Sequence, residues 1–509
     1  MGTNGRQARL ILILLAAFFF LNLVFLTRFP LVHSDESWLA GLTRNMMESG
    51  SPGVTEPFFD LKPRYPHAIK ILFHALQMPF FLTFGYSALS ARLMSLLFGT
   101  ASLYLAFRCA REAASLRFSL GFAALIAIDG QFLAASHIAR QEILLLCGML
   151  LLLLFLLKAG GEIPIRTALR MGAITGLSAG IHPNGLLLAM GCGLAMLLTT
   201  LARKRFRWSP LFAYTAVAGG IAAVFVGLSF AFDSRFPAHY LAYGESEFDL
   251  IVPISNKFQE FGSYVQKLWH GVSGTYRLPI LKAQLLLCPV LMVWGVARAI
   301  RRRDAKPLAA LGMSLGALLG TVVIGRYNQL SAILWMFPCL MLLPPLLEGL
   351  RWRMPAWIAL TAVFAACSAF SFAPDFSYSY DGYLDRIAES ISPDERTLGN
   401  LNAGFYFGNE ALVDYRNLSY LKENELSFAE YVETRKIEVI LWPEEMDFIY
   451  SHRPTWNIIY GNPRYMEEVE TFLSENCTLV GEFEDAGYAV RIVQEIGKPY
   501  GIRVYRVNP

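Results

Sequence analysis

Short polar groups interrupt a chain otherwise dominated by apolar runs, and their residue types suggest chemistry. His33-Ser34-Asp35-Glu36 follows the first apolar run, residues 10–26. A carboxylate of this pair could take a proton from an acceptor hydroxyl. At a helix start the same pair would equally complement the helix dipole. Ser34 is the expected N-cap, with Trp38, Leu39, Leu42 and Met46 forming one apolar face behind it. Lys62-Pro63 offers an ammonium at headgroup depth, suited to a lipid phosphate or to simple snorkelling. Arg140 and Glu142 stand at the boundary of two apolar runs, and His182-Pro183-Asn184-Gly185 breaks the stretch 171–201. A broken helix at membrane depth needs protein or water around its freed backbone groups, which argues for a cavity there. Arg326-Tyr327 opens a late apolar run, and Asp129 with Gln131 is the most deeply placed polar pair. A carboxylate that deprotonates an acceptor, with cations that stabilise a departing phosphate, describes sugar transfer from a lipid phosphate.

The elements that must hold these groups are helices in a membrane. Of 509 residues, 55% are apolar and 17% charged, which excludes a disordered chain and argues against an ordinary soluble enzyme. Residues 376–509 hold 23 acidic and 12 basic side chains, whereas the remainder holds 17 acidic and 32 basic. The acidic part argues against nucleic acid as a partner. Seven cysteines without a CxxC pair give neither a disulfide framework nor a zinc site, and read as packing residues. Spans are expected near 10–26, 88–107, 118–136, 143–157, 171–181, 185–201, 210–231, 279–299, 308–325, 329–347 and 355–373. The first is read as uncleaved, because Thr27-Arg28-Phe29-Pro30 is no cleavage site.

With the N-terminus cytoplasmic, every basic cluster falls inside, from Arg6 and Arg9 to Arg351 and Arg353. This requires residues 68–84 not to cross. His67, Lys70, His74 and Gln77 recur there at helical spacing against an apolar face, the pattern of a helix lying in the interface. The expected fold is therefore an α-helical polytopic membrane protein in residues 1–375, with about eleven transmembrane helices and a juxtamembrane helix. A small extracytoplasmic α/β domain follows in 376–509. Its expected helices are 384–391, 428–435 and 465–473, and its expected strands 396–401, 438–442, 479–483, 488–493 and 501–507. Residues 232–276 read as a long external loop. The predicted site is an outer-face cavity in a multi-pass protein of the cell (inner or plasma) membrane.

The order of these motifs resembles the C-type (GT-C) membrane glycosyltransferases, specifically the protein O-mannosyltransferase and lipid A aminoarabinose transferase group. Asp35-Glu36 is similar to the first-loop acidic motif, and Glu56-Pro57 through Lys62-Pro63 to the Lys-Pro segment before the juxtamembrane helix. Ser90-Ala91-Arg92-Leu93 with Phe98-Gly99 resembles the opening of span two, and Ala139-Arg140-Gln141-Glu142 an Arg-x-Asp motif with Glu for Asp. His182-Pro183-Asn184-Gly185 stands where many members carry Lys-Gly-Pro, and Arg326-Tyr327 resembles the Arg-Tyr of a late span. The likeness covers about residues 10–350.

It implies a polyprenyl-phosphate-linked sugar donor, an extracytoplasmic acceptor and transfer with inversion. Asp35 would be the general base, with Glu36 or Glu142 orienting the acceptor or supporting the base. Lys62, Arg326 and Arg92 would meet the donor phosphate. Arg140, His182, Asn184, Tyr327 and Asp129 would complete the pocket. No cofactor is expected, although some relatives use a divalent metal, for which His33, Asp35 and Asp60 could serve. A lipid or solute transporter is one alternative; it usually shows inverted halves, none of which is found, and a long outer loop with a soluble part on one side fits a one-sided enzyme better. A glycan polymerase or ligase, relying on Arg and His in a large outer loop, is the other alternative, through Arg235 and His239.

Overall fold

The computed structural model describes residues 3–202, 207–248, 253–272, 276–302, 304–325, 327–453, 460–485, 487 and 490–509. The first apolar run is α1 (Thr3–Val24), the acidic segment opens α2 (Ser34–Ser49), and α3 (Ile71–Phe84) precedes α4 (Ala88–Arg111). Then come α5 (Leu116–Ala127), α6 (Gly130–His137), α7 (Glu142–Ala159), α8 (Ile165–Ala179), α9 (Gly185–Leu201) and α10 (Ser209–Phe232). The Leu-rich α7 is buried along most of its length, packed among α4, α9 and α14 (Ala305–Ile324). Seven of the described helices are long and apolar enough to cross a membrane, or eight if α5 and α6 are one span bent by 62°. The apolar part of α1, α3 and α9 are shorter apolar helices. All seven cysteines are free thiols, buried or half-buried.

Asp129 explains that bend and departs from its expected place in the pocket. Its Oδ1 accepts from the Phe132 N–H at 2.8 Å, starting α6 as a new helix. Its Oδ2 accepts from Gln284 Nε2 at 2.7 Å on α13 (Ile280–Arg302). Both oxygens are used in fixing the break, so Asp129 is a buried helix cap rather than a group facing the site. The run expected as one span at 329–347 is among the seven, built of a turn at Leu330–Ala332, α15 (Ile333–Leu340) and α16 (Leu343–Glu348). Pro338, Pro344 and Pro345 each lack the N–H that a continuous helix needs.

The stretch expected as a long outer loop is instead largely helical, α11 (Phe236–Phe248) and α12 (Ile254–His270). Tyr264 and Leu268 are buried four apart on α12, an amphipathic spacing that loop length had concealed. In α3 the polar stripe turns inward: Thr43 Oγ1 of α2 lies 2.8 Å from His74 Nδ1 and 2.5 Å from Gln77 Oε1. Leu76, Leu82 and Phe84 are exposed on its other side. The helix thus turns its polar groups to protein and its apolar groups outward, the pattern expected of a helix lying in the interface. The last membrane helix is α17 (Arg353–Phe372).

The tail forms a five-stranded sheet of β1 (Thr397–Gly399), β2 (Leu412–Asp414), β3 (Val439–Pro443), β4 (Cys477–Asp485) and β5 (Tyr500–Val507). The order is β2-β1-β3-β5-β4, with β1 parallel to β2 and β3, and β5 antiparallel to β3 and β4. The all-apolar β3 is buried throughout, as a central strand should be. The strand expected at 488–493 is overturned in its described part, because Val490–Ile496 is a helix. Val493 and Ile496 sit three apart and pack on the sheet together.

Candidate active site

Helix α2 is held at its start by a capping box, and the cap is His33 rather than the expected Ser34. His33 Nδ1 accepts from the Asp35 N–H at 3.0 Å, and Glu36 Oε1 accepts from the His33 N–H at 2.8 Å. Glu36 is the third residue after His33, which is the spacing that the box requires. This cap fixes opposite fates for the two adjacent carboxylates. Glu36 turns inward and is fully buried, as is Arg92 of α4. Arg92 grips it with Nε to Oε2 at 2.7 Å and Nη2 to Oε1 at 2.6 Å, while the Ala139 N–H adds a bond at 2.8 Å. The remaining Arg92 nitrogen, Nη1, donates to the carbonyls of Leu26 and Pro30. Glu36 was expected as a catalytic group and Arg92 as a phosphate ligand. The geometry corrects both, since the fully buried pair is saturated by its own contacts and by neighbouring main-chain groups.

Asp35 faces outward, with a third of its side chain exposed. Arg140 Nη1 donates to Asp35 Oδ2 at 2.9 Å, and Arg140 Nη2 to Glu142 Oε1 at 3.2 Å. Glu142 is buried behind Arg140 and also receives Gln141 Nε2 and the Ser331 hydroxyl on the same oxygen. Asn184 Nδ2 continues the chain to Ser331 at 3.3 Å, and the Asn184 N–H bonds His182 Nδ1 at 3.1 Å. The break between α8 and α9 and the start of α7 are therefore tied through Arg140 to Asp35. Asp35, Arg140, Gln141 and His182 line one cavity together with Arg64, His67, Lys70 and Tyr240.

The cations come from the loop between α2 and α3. Gly41 allows this close seating, because a Cβ there would overlap the Phe58 ring. Glu56 accepts two bonds from Arg64, at 2.9 and 2.7 Å, and one from Trp38 Nε1 at 2.6 Å. Burial alone would raise the Glu56 carboxyl, but Arg64 and Trp38 hold it well below the usual range. Lys62 Nζ lies 5.4 Å from the Trp38 ring centroid and 5.3 Å from that of Phe59. Burial, then the charges of Arg416 and Arg64, lower its pKa to about 6. Lys62 lines a second cavity of about 360 Å³ with Tyr65, Asp233, Phe236, His239 and others. Arg64, His67 and Tyr240 belong to both cavities, so the Asp35 and Lys62 chambers adjoin across those three side chains. Burial, with the charge of Lys70, lowers His67 to about 3, which keeps that imidazole neutral at neutral pH beside the charged Arg64.

Other expected residues fall elsewhere. Arg326 lies outside the described residues. Tyr327 packs on Tyr264 with ring centroids 4.9 Å apart and donates its hydroxyl to the Lys257 carbonyl, so its contacts are with α12. His33, Asp35 and Asp60 do not converge. Asp60 accepts from the Tyr431 hydroxyl at 3.0 Å and lies 2.9 Å from Arg435 in the tail. Among the described residues no three His, Cys, Asp or Glu side chains are grouped to hold a metal ion. His239 does reach the Lys62 cavity, where its ring stacks on Tyr65 at 3.6 Å and Nδ1 lies 2.7 Å from Asp233. Sequence reading missed Arg64, although its i+2 spacing from Lys62 in an extended segment puts both on one side. It also missed Tyr240 and Arg416, for which no local signal exists.

No family model and no curated protein matches the chain. Two crystal structures of ArnT from Cupriavidus metallidurans are similar to it. The apo-state structure is 16% identical and has a TM-score of 0.57, covering 86% of this chain and 95% of that one. The structure bound to undecaprenyl phosphate is 14% identical with a TM-score of 0.56, covering 99% and 98%. At such identities the likeness is one of architecture. The chain is a multi-pass membrane protein with the fold of the C-type membrane glycosyltransferases.

Proposed function

We propose that this protein is an inverting glycosyltransferase that moves a sugar from a polyprenyl-phosphate donor to a hydroxyl acceptor on the extracytoplasmic side. The observation that carries the reading is the adjoining of a chamber that holds the Asp35 carboxylate and a chamber that holds the Lys62 ammonium, across Arg64, His67 and Tyr240. Support comes from the similar fold of a protein crystallised with undecaprenyl phosphate. In this reading the Asp35 carboxylate takes the acceptor proton as the acceptor oxygen bonds to the anomeric carbon. The bond from that carbon to the phosphate oxygen breaks, its electron pair leaving with the lipid phosphate, which Lys62 and Arg64 stabilise. Attack opposite the leaving group inverts the centre. Arg140 holds Asp35 in its rotamer, and Glu142 acts only through Arg140.

The same reading has a pH consequence. A phosphate entering beside Lys62 raises its pKa above the free value of about 6, so donor binding takes up a proton. Affinity for the donor, a phosphodiester with no titration in this range, is therefore expected to be greatest below pH 6. It should then fall by up to about tenfold per unit as pH rises. Lys62→Arg should flatten the profile, since guanidinium stays charged. A wild-type affinity unchanged between pH 5 and 8 would remove Lys62 from the phosphate.

The extracytoplasmic placement rests on the one-sided basic clusters. With that orientation, Ser234→Cys reacts with an impermeant maleimide from outside and the exposed Arg351→Cys does not; the reverse pattern would invert the protein. Because His239 lines the donor chamber, a ligase working on an oligosaccharide donor is the second reading. Turnover of a single-sugar donor distinguishes the two.

A further inference from the structure

The tail reaches into the loop that carries Lys62. Directly after β2, Asn417 is fully buried, and its Oδ1 accepts from three successive N–H groups, those of Asp60, Leu61 and Lys62, each at 3.1 Å. Its Nδ2 donates to the Phe58 carbonyl at 2.8 Å and to that of Asp414 at 3.0 Å. The Asp414 N–H also bonds the Phe58 carbonyl, at 3.1 Å. Every hydrogen-bonding direction of this amide is used, four of its five bonds going to loop 58–62.

Arg416 comes from the same turn. Asp414 Oδ1 accepts from the Arg416 N–H at 2.9 Å and from its Nε at 2.6 Å, which locks the guanidinium 4.5 Å from the Trp38 centroid. Lys62 and Arg64 stand against the same indole. A buried network satisfied this fully rigidifies what it binds. Packing of two domains would not by itself need a side chain that gathers three consecutive main-chain donors beside the site cation.

We propose that the tail turn Asp414–Asn417 is a positioning device for Lys62, so that the donor-phosphate site is completed by the C-terminal domain. Asn417 sets the main chain of the lysine, and Arg416 sets the electrostatic ground against which the lysine binds an anion. The tail is then part of the transfer machinery rather than a detachable acceptor-binding module. This rests on the reading that Lys62 meets the donor phosphate.

The test uses the full-length protein and a polyprenyl-phosphate-linked monosaccharide. Asn417→Leu removes the five hydrogen bonds at similar volume and should raise the donor KM by roughly tenfold or more. Arg416→Gln removes a cation that disfavours charged Lys62, so the pH at which donor affinity falls should move up, while Arg416→Lys should leave it in place. Glu56 and Arg64 from its own loop, Asp414 from the tail, and His67, Asp233 and His239 across the chamber also face Lys62. The titration is therefore repeated in His239→Gln to isolate that ring. A folded Asn417→Leu with wild-type donor KM overturns the proposal. If Asn417→Leu does not fold, an unmoved pH midpoint in Arg416→Gln overturns it alone. Lys62→Ala is the control: unchanged donor KM there defeats the functional reading itself, whereas a large loss there with neutral tail variants defeats only the clamp.

Discussion

Asp35→Asn is expected to lower sugar transfer by about 10²–10⁴-fold, the range for losing a positioned general base. Donor KM should change little, because Asp35 and Lys62 line different chambers. The amide keeps the size of the side chain and an acceptor oxygen for Arg140, so α2 and its capping box stay in place. What is lost is the capacity to hold the acceptor proton, a difference of roughly 3–5 kcal/mol in the barrier. Glu142→Gln gives the contrast. It weakens the hold on Arg140 without touching the acceptor, so its loss should be smaller than that of Asp35→Asn. Single-turnover rates with saturating donor measure both. Near wild-type transfer by Asp35→Asn, with an inactive Glu142→Gln, would move the base to Glu142.

Arg92→Ala is expected to cost about 3–5 kcal/mol of stability, the usual effect of stranding one partner of a buried ion pair. The case is severe because Glu36 is fully buried and Arg92 supplies two of its four hydrogen bonds. The same arginine also satisfies the carbonyls of Leu26 and Pro30 at the end of the first span. Replacing both partners by apolar residues should recover only part of the loss. The N–H groups of His33 and Ala139 would then remain buried without the carboxylate. Thermal unfolding of purified protein in detergent, with abundance in the membrane, reads this directly. An Arg92→Ala protein of normal stability but weakened donor binding would restore Arg92 to the phosphate.

Much of the architecture was legible because membrane burial writes itself as long apolar runs, and loop 58–62 announced itself by Lys62-Pro63. The two-faced character of α3 was written in the spacing of His74 and Gln77, which face α2. Local pattern could not reveal which neighbour each charge would choose. Asp35 and Glu36 are adjacent and chemically alike, yet the cap at His33 sends one to Arg92 and the other to the cavity. Asp129 looked functional for being buried and ionisable, and only the bend between α5 and α6 shows what it does. Arg416 and Asn417 lie more than 350 residues from the loop that they hold, with no periodicity to connect them. The run 488–493 read as a strand because six residues cannot separate the two periods.

The most direct test is a structure of the protein with polyprenyl phosphate. The expected result is phosphate density within about 4 Å of Lys62 Nζ, salt-bridge range, in the chamber that opens through Arg64, His67 and Tyr240 toward Asp35. Phosphate bound instead in the apolar groove beside Phe25, Phe29 and Phe372, with the Lys62 chamber empty, would contradict the account.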